Sequence, residues 1–349
     1  MRIAIVSPYA LDRPGGVQGQ ARYHVEWLRA EDQDAWLVAP GTSGGPDGTI
    51  YLGGTTGVRT NRSVAPIRLA PGTAAAVGAA VAGADVIHIH EPFVPAVSLG
   101  ALRTPGIPKI GTFHADPGRG VRFLYGAARR QWRKLAANLA VPVAVSPVAA
   151  AAIEPLVGPP RIIPNTIDTR QYNPAGPKDP DRLAFLGRDE PRKGLDLLLE
   201  AFAQLRRTRP AAQLAVMGAM RPEVPGVRFL GPVDDATKQR ELAAASVFVA
   251  PNTGGESFGL VVLEALASGC AVVASALPAF HFVAEEAALY TPVGDAAALG
   301  RALDTLMRDP DIREEYQGRA RLRVAAFDRE RVVADYLKVY AEAVENRGE

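Results

Sequence analysis

Ala250-Pro251-Asn252-Thr253-Gly254-Gly255-Glu256-Ser257-Phe258-Gly259-Leu260-Val261-Val262-Leu263-Glu264-Ala265 decides how this chain is read. Residues 247–250 form a short apolar run that reads as a buried strand. It enters a glycine-rich turn, and a helical pattern begins near Phe258. The free N–H groups of a helix start make an anion site, and two glycines let a ligand approach the backbone closely. Glu256 sits at the mouth of that turn, and Glu264 lies two turns into the helix. A carboxylate beside an anion site suits an anionic leaving group joined to a hydroxyl-rich body, which describes a nucleotide-sugar.

The strand, turn and helix alternation extends outward on both sides. In the second half, strands are expected at 182–186, 213–217, 227–230, 247–250 and 271–274. The helices between them are expected at 194–207, 235–245 and 258–268. In the first half, strands are expected at 2–7, 35–39, 85–90, 109–112, 139–145 and 161–163. A helix is expected at 18–29, and another, of small residues, at 73–82. Residues 41–54 are turn-rich and hard to read. Residues 164–180 hold four prolines and read as a linker. From 295 onward the pattern is helical, and 328–344 reads as one amphipathic helix. The fold class expected is α/β, with two facing Rossmann-like domains on doubly wound parallel sheets. The domains expected are 1–165, 166–326, and a helical tail 327–349 that packs back on the first domain. Ligands of such sheets bind at the carboxyl ends of the strands, hence in the cleft between the domains.

Totals narrow the function. The chain has 349 residues, 48% of them hydrophobic, which suits two globular domains of ordinary size. A net charge of +2 argues against a nucleic-acid-binding body. The single cysteine, Cys270, excludes a disulfide framework and a cysteine-based zinc site. The N-terminus enters a strand pattern at once, without a signal-peptide layout, and the weakly apolar run 71–84 is too short to span a bilayer. A cytoplasmic protein is expected, with the inner membrane face as one place it could work. Six lysines stand against 33 arginines, and two of the six, Lys193 and Lys238, fall in loops that follow strands.

Four other stretches carry candidate chemistry. Pro14-Gly15-Gly16-Val17 opens a helix after the first strand and can meet a diphosphate, but it can equally be a tight turn, and it is not a GxGxxG fingerprint. His88, His90 and His114 stand at or near strand ends. As a metal trio they are disfavoured, because His88 and His90 share one strand face and one of them is expected to be buried. His114 is better read as a hydrogen-bonding partner for a sugar hydroxyl. Gly187-Arg188-Asp189-Glu190-Pro191-Arg192-Lys193-Gly194 sets cations at a helix N-terminus, against the macrodipole, and a bound diphosphate would compensate. Gly231-Pro232-Val233-Asp234-Asp235-Ala236-Thr237-Lys238 offers Asp234 as an N-cap and a carboxylate that could accept from guanine N1 and N2. Three Asp-X-Asp triplets, at 32–34, 179–181 and 309–311, lie in unrelated loops and are read as chance.

Taken in order, Pro-Gly-Gly-Val-Gln (14–18), His-Ile-His-Glu-Pro (88–92), Thr-Phe-His (112–114), the Gly-Arg to Arg-Lys-Gly loop (187–194), Val-Asp-Asp-Ala-Thr-Lys (233–238) and Gly-Gly-Glu-Ser-Phe-Gly (254–259) span nearly the whole chain. This series resembles the retaining glycosyltransferases of family 4, and within them the phosphatidylinositol mannosyltransferase branch. The resemblance implies a GT-B fold, a GDP-sugar donor (most of all GDP-mannose), transfer with retention, and neither cofactor nor bound metal. It implies that Gly15 and Gly16 meet the donor diphosphate and that His114 binds the transferred sugar. Arg188 and Lys193 would neutralise the diphosphate. Glu256 would bind sugar hydroxyls, beside Ser257 and the amides of Phe258 and Gly259. Glu264 would hold the ribose, with Asp235 and Lys238 near the guanine. Gln18, Asn61, Ser63 and Arg68 would face the acceptor.

Departures from the family pattern fall in the acceptor half. Residues 73–84 carry no charge where the family has a basic membrane helix, and Pro66 replaces an arginine. Ala115 follows the histidine, Pro164-Asn165-Thr166 replaces Pro-Asn-Gly, and the donor loop is one residue shorter. Two acceptors therefore stay open, an inositol phospholipid and a soluble small molecule or glycan, and with them a UDP-linked donor. One basic helix is expected over 121–139, with Trp132 on its apolar face. It could lie on an anionic lipid surface or simply dock on its own sheet. Rival readings are an epimerase or hydrolase of the same fold, a dinucleotide dehydrogenase that lacks its glycine fingerprint, and a non-catalytic binding module.

Overall fold

A computed structural model of the chain describes residues 1–13, 15–60, 63–115, 118–172 and 178–346; the side chains of 58–60, 63–65 and 119 fall outside that description. The chain divides into two compact units. The first comprises Met1–Thr166 and Arg329–Glu349, and the second Ile167–Asp328.

The first unit opens with β1 (Arg2–Val6), α1 (Gly16–Ala30), β2 (Asp34–Ala39) and β3 (Ile50–Tyr51). A hairpin of β4 (Thr56–Thr60) and β5 (Ser63–Ile67) forms a separate antiparallel sheet. Then come α2 (Thr73–Ala80), β6 (Val86–His90), α3 (Val97–Arg103), β7 (Lys109–Phe113), α4 (Arg119–Ala127), α5 (Arg129–Ala136), β8 (Val141–Ala144), α6 (Pro147–Val157) and β9 (Arg161–Ile162). Its seven-stranded sheet has the order β3-β2-β1-β6-β7-β8-β9, with every pair parallel. Strands buried on both faces explain the continuous apolar runs. Along β1, Ile3 and Ile5 face one layer, and Ala4 and Val6 the other.

The second unit contains β10 (Asp179–Leu186), α7 (Leu195–Thr208), β11 (Gln213–Met217), β12 (Val227–Gly231), α8 (Asp235–Ala244), β13 (Ala245–Ala250), α9 (Leu260–Ala267), β14 (Ala271–Ser275), α10 (Pro278–Ala284), β15 (Ala288–Thr291), α11 (Ala296–Arg308) and α12 (Pro310–Val324). Its parallel sheet runs β12-β11-β10-β13-β14-β15. Leu183, Phe185, Val247 and Val249 pack on one layer with α7 and α11. The final helix, α13 (Arg329–Glu345), belongs to the first unit. It buries Val332, Val333, Tyr336, Val339, Tyr340 and Ala343 against Ile3, Ile5, Val25 and Leu28. Ile167 and Asp328, the two ends of the second unit, pair with each other, and Thr169 Oγ1 donates to Asp328 at 2.9 Å.

Three expectations are corrected. The basic helix is two helices, because Ala128 (φ −114°, ψ 30°) interrupts the α-helical path. With the phase broken there, Leu124 is 59% exposed while the Tyr125 ring packs on Trp132. The strand opening the second sheet starts at Asp179, inside the stretch read as a linker. And both His88 and His90 are fully buried, not one of the two.

Candidate functional site

In open parallel sheets ligands settle beyond the carboxyl ends of the strands, where the strand order reverses. Each unit has one such point, between β1 and β6 in the first and between β10 and β13 in the second.

In the second unit, β13 ends at Ala250 and β10 at Leu186, so the stretches 251–259 and 187–194 emerge side by side. Thr253 N donates to Arg192 O at 2.8 Å and ties them together. Gly194 (φ +72°) lies so close to Pro251 that an added Cβ would sit 2.0 Å from its carbonyl oxygen. Only glycine tolerates that approach. Glu256 Oε1 accepts from Lys193 Nζ at 2.6 Å, Arg192 Nη1 at 2.8 Å and Asn252 Nδ2 at 2.8 Å. Glu190 continues the chain of charges, with Arg192 at 2.8 Å and Arg188 at 3.0 Å. Three cations against two carboxylates leave the cluster one positive charge. That excess and the start of α9 both favour an anion. The Phe258 ring is buried against Phe282 and Phe327, so this residue can offer a ligand only its main chain. Gly259 (φ +105°) caps α9, and a Cβ there would meet the Phe280 ring at 2.8 Å. Ser257 lies in the same turn, between Glu256 and Phe258.

A second cluster forms where α8 meets α9. Glu264 Oε1 accepts from Lys238 Nζ at 2.7 Å and from Tyr172 Oη at 2.9 Å. Asp235 pairs with Lys238 at 2.8 Å and remains exposed. Burial works against the Lys238 ammonium, but Glu264, Tyr172 and Asp235 together outweigh it and raise its pKa. Asp234 caps α8, accepting from Thr237 N at 2.8 Å.

In the first unit, Gly15 precedes α1 in extended backbone, and Gly16 begins the helix. An added Cβ on Gly15 would lie 2.3 Å from Gln18 Oε1. The Gln18 amide is buried and donates toward the Ala10 and Arg13 carbonyls at 3.5 and 3.4 Å. Arg68 Nε donates to Thr73 Oγ1 at 3.2 Å. Asn61 lies outside the described residues. Ser63 pairs with Thr60 in the hairpin, its side chain likewise outside the description.

His114 follows β7 and is almost wholly buried. Its Nδ1 meets Asn165 Oδ1 at 3.0 Å and its Nε2 meets His90 Nδ1 at 2.7 Å. Glu91, at a positive φ of 48°, accepts from the main-chain N–H groups of His114 and Ala115, both at 2.8 Å. Burial lowers the pKa of His114 to about 4 and raises that of Glu91 to about 7. Among the described residues, the histidines spaced for a shared metal are His24, His88 and His90. However, both His88 nitrogens are taken, by Tyr340 Oη and Thr112 Oγ1 at 2.7 Å each, and the group contains no carboxylate to offset a dication's charge. It packs as a column of neutral rings, with His88 and His90 stacked at 4.6 Å.

Sequence motifs thus located Glu256, Lys193, Glu264 and Lys238. They did not single out Asn252, Tyr172, Glu91 or Asn165, and they weighed His90 only as a metal partner. Asn252, Glu91 and Asn165 stood inside quoted stretches; Tyr172 carried no signal of its own.

Comparison with known proteins follows the same division. The family model described as Glycosyltransferase Family 4 matches residues 14–171, and the model described as Glycosyl transferases group 1 matches 180–309. A phosphatidyl-myo-inositol mannosyltransferase of Mycolicibacterium smegmatis is 35% identical over 100% of this chain and 95% of its own length. That of Propionibacterium freudenreichii is 33% identical over 99% and 96%. A sucrose-phosphate synthase structure from Thermosynechococcus elongatus superposes with a TM-score of 0.75 at 24% identity, covering 98% of both chains.

Proposed function

The chain belongs to glycosyltransferase family 4, and on that premise we propose that it moves mannose from GDP-mannose to a hydroxyl of an inositol phospholipid. It is a hexosyltransferase of the GT-B fold. The observation that carries the donor reading is the charge cluster at the β13–α9 turn. There Glu256 is held by Lys193, Arg192 and Asn252, beside the N-terminus of α9. When the sugar–phosphate bond breaks, negative charge grows on the departing diphosphate. Preset cations and main-chain amides oriented toward it lower that barrier.

Lys193 and Arg188 meet the diphosphate. Glu256 binds hydroxyls of the sugar, Glu264 the ribose, and Asp235 with Lys238 the guanine. The acceptor oxygen bonds to the anomeric carbon on the face the diphosphate leaves, and the hydroxyl proton passes to the departing phosphate oxygen. No metal enters this scheme, because the fixed cations already supply the charge.

The same reading places the enzyme at the cytoplasmic face of an anionic membrane. On α4, Phe123 is 73% and Leu124 59% exposed, and α4 and α5 also carry Arg122, Arg129, Arg130, Arg133 and Lys134. Exposed apolar side chains in a cation-rich helical segment suit an anionic lipid surface. Among the described residues, no helix is long and apolar enough to cross a membrane. The uncharged α2 favours a second reading, a soluble glycan or small-molecule acceptor.

The test offers GDP-mannose, GDP-glucose and UDP-glucose with phosphatidylinositol vesicles or free inositol, and identifies products by mass spectrometry. A mannosyl lipid formed only from GDP-mannose is expected. Transfer from UDP-glucose would overturn the donor assignment, and transfer to free inositol alone would favour the soluble acceptor. Replacing Phe123 and Leu124 by serine should abolish sedimentation with anionic vesicles and leave GDP binding intact. Equal sedimentation of both forms would remove the membrane surface.

A further inference from the structure

We infer that His90, Asn165 and Glu91 are positioning residues that lock His114 as a neutral ring in one tautomer, so that its imidazole takes no proton during transfer. The inference rests on the assignment of His114 to the transferred sugar.

The argument starts from donors and acceptors. Asn165 Oδ1 can only accept, so the proton of the His114 ring lies on Nδ1, 3.0 Å away. His114 Nε2 is then a lone pair, and the group opposite it at 2.7 Å, His90 Nδ1, must carry the hydrogen. Both nitrogens of His114 are thereby spent inside the first unit, so the ring hydrogen bond to a sugar hydroxyl expected from the sequence has no nitrogen left, and His114 meets the sugar through its carbon edge or main-chain carbonyl instead. The rings of His90 and His114 also stack, at 5.0 Å and 17°. His88 stacks behind His90 and is pinned by Tyr340 and Thr112, and Tyr336 Oη meets the same Thr112 hydroxyl at 3.1 Å. The main chain is held too. Glu91 takes the N–H groups of His114 and Ala115 on one oxygen, which fixes the turn that follows β7.

The titratable groups around this ring are His24, His88, His90 and Glu91, with Tyr336 and Tyr340 from α13 and with Tyr9 and Tyr125 beside Glu91. Burial keeps the four histidines, His114 included, neutral above the acid range. A ring whose free lone pair already accepts a hydrogen bond from a neighbour is a poor proton acceptor for substrate.

The experiment uses the full chain with 15N-labelled histidine. His114 is expected to show a protonated Nδ1 and a bare Nε2 at pH 7, unchanged by GDP. Transfer of mannose, measured from pH 5.5 to 8, should show no limb that His114 controls. In His90→Phe, Nε2 loses its donor while the burial that depresses the His114 pKa remains; the 15N signals should then show both tautomers, and kcat should fall about ten-fold or more with GDP affinity unchanged. His90→Gln, whose amide still donates, should recover part of the loss. Asn165→Leu frees Nδ1 and gives an independent check if His90→Phe fails to fold. A protonated Nε2 in the native chain, or an unchanged kcat and pH profile in both variants, overturns the inference. If His114→Ala transfers normally while the tautomer is as stated, the assignment of His114 to the sugar fails instead.

Discussion

Lys193 is the residue on which the donor reading can be tested most directly. Its ammonium is largely buried and already paired with Glu256, so a diphosphate must compete for it. Lys193→Ala should lower kcat by about 10²-fold or more, as loss of one preset charge contact does, while Arg192 still holds Glu256 in place. Steady-state kinetics with thermal unfolding as a control would check this; a full kcat sends the assignment elsewhere. Gly194→Ala tests the geometry below the charges. At φ +72°, with Pro251 O only 2.0 Å from the new Cβ, the variant should lose at least about 2 kcal/mol in urea unfolding. Single residues were legible where their partners are near in sequence or where a motif carries them. The Glu256 and Lys193 pair came from two motifs, each set in a strand, turn and helix. Tyr172 reaches Glu264 across 92 residues, and Asn165 reaches His114 across 51. Such pairs exist only once the sheets are assembled, so no local pattern encodes them.

At the scale of elements, α13 contributes more than packing. Tyr340 is fully buried, and its hydroxyl meets His88 Nδ1 at 2.7 Å. Tyr340→Phe leaves a buried imidazole nitrogen unpaired and should cost about 1–3 kcal/mol, more than Leu337→Ala on the half-buried edge of the same helix. Chemical denaturation of both variants measures the difference, and equal losses would mean the hydroxyl contributes nothing. The helix itself was readable from its spacing of Val332, Val333, Tyr336 and Tyr340. The hairpin of β4 and β5 was not, because it lies outside both parallel sheets and the strand–helix alternation that revealed them does not pass through it. The four-residue β15, Ala-Leu-Tyr-Thr, is too short to stand out from the helices around it. The break at Ala128 follows Gly126 by two residues, but apolar periodicity reads straight across both.

For the whole molecule, the buried histidines set an acid limit. His24, His88, His90 and His114 have pKa values depressed below 6.5, to about 3 for His24 and about 4 for His114. The unfolded chain therefore binds more protons than the folded one as pH drops below about 6.5. The stability of the first unit is present above that value and is lost as pH falls toward the folded pKa values, at up to about 1.4 kcal/mol per pH unit for each histidine. Circular dichroism melts between pH 7 and 4 should show the melting temperature falling steeply. A flat profile would mean that the rings are hydrated and charged. The α/β class and the two-domain plan were legible because alternating apolar strands and amphipathic helices recur twice over the chain, whereas GT-B came with the family resemblance.

The first unit is interrupted in sequence, and the second is one unbroken segment. On a ribosome, which releases the N-terminus first, the usual order of maturation is therefore reversed. Ile167–Asp328 can complete its core as soon as it emerges. The older segment, Met1–Thr166, must wait with the strip of Ile3, Ile5, Val25 and Leu28 uncovered until Val332, Tyr336 and Tyr340 arrive. A segment translated after the whole second unit closes the first, so a chain truncated before Arg329 would keep a complete second unit and be left with an aggregation-prone first one.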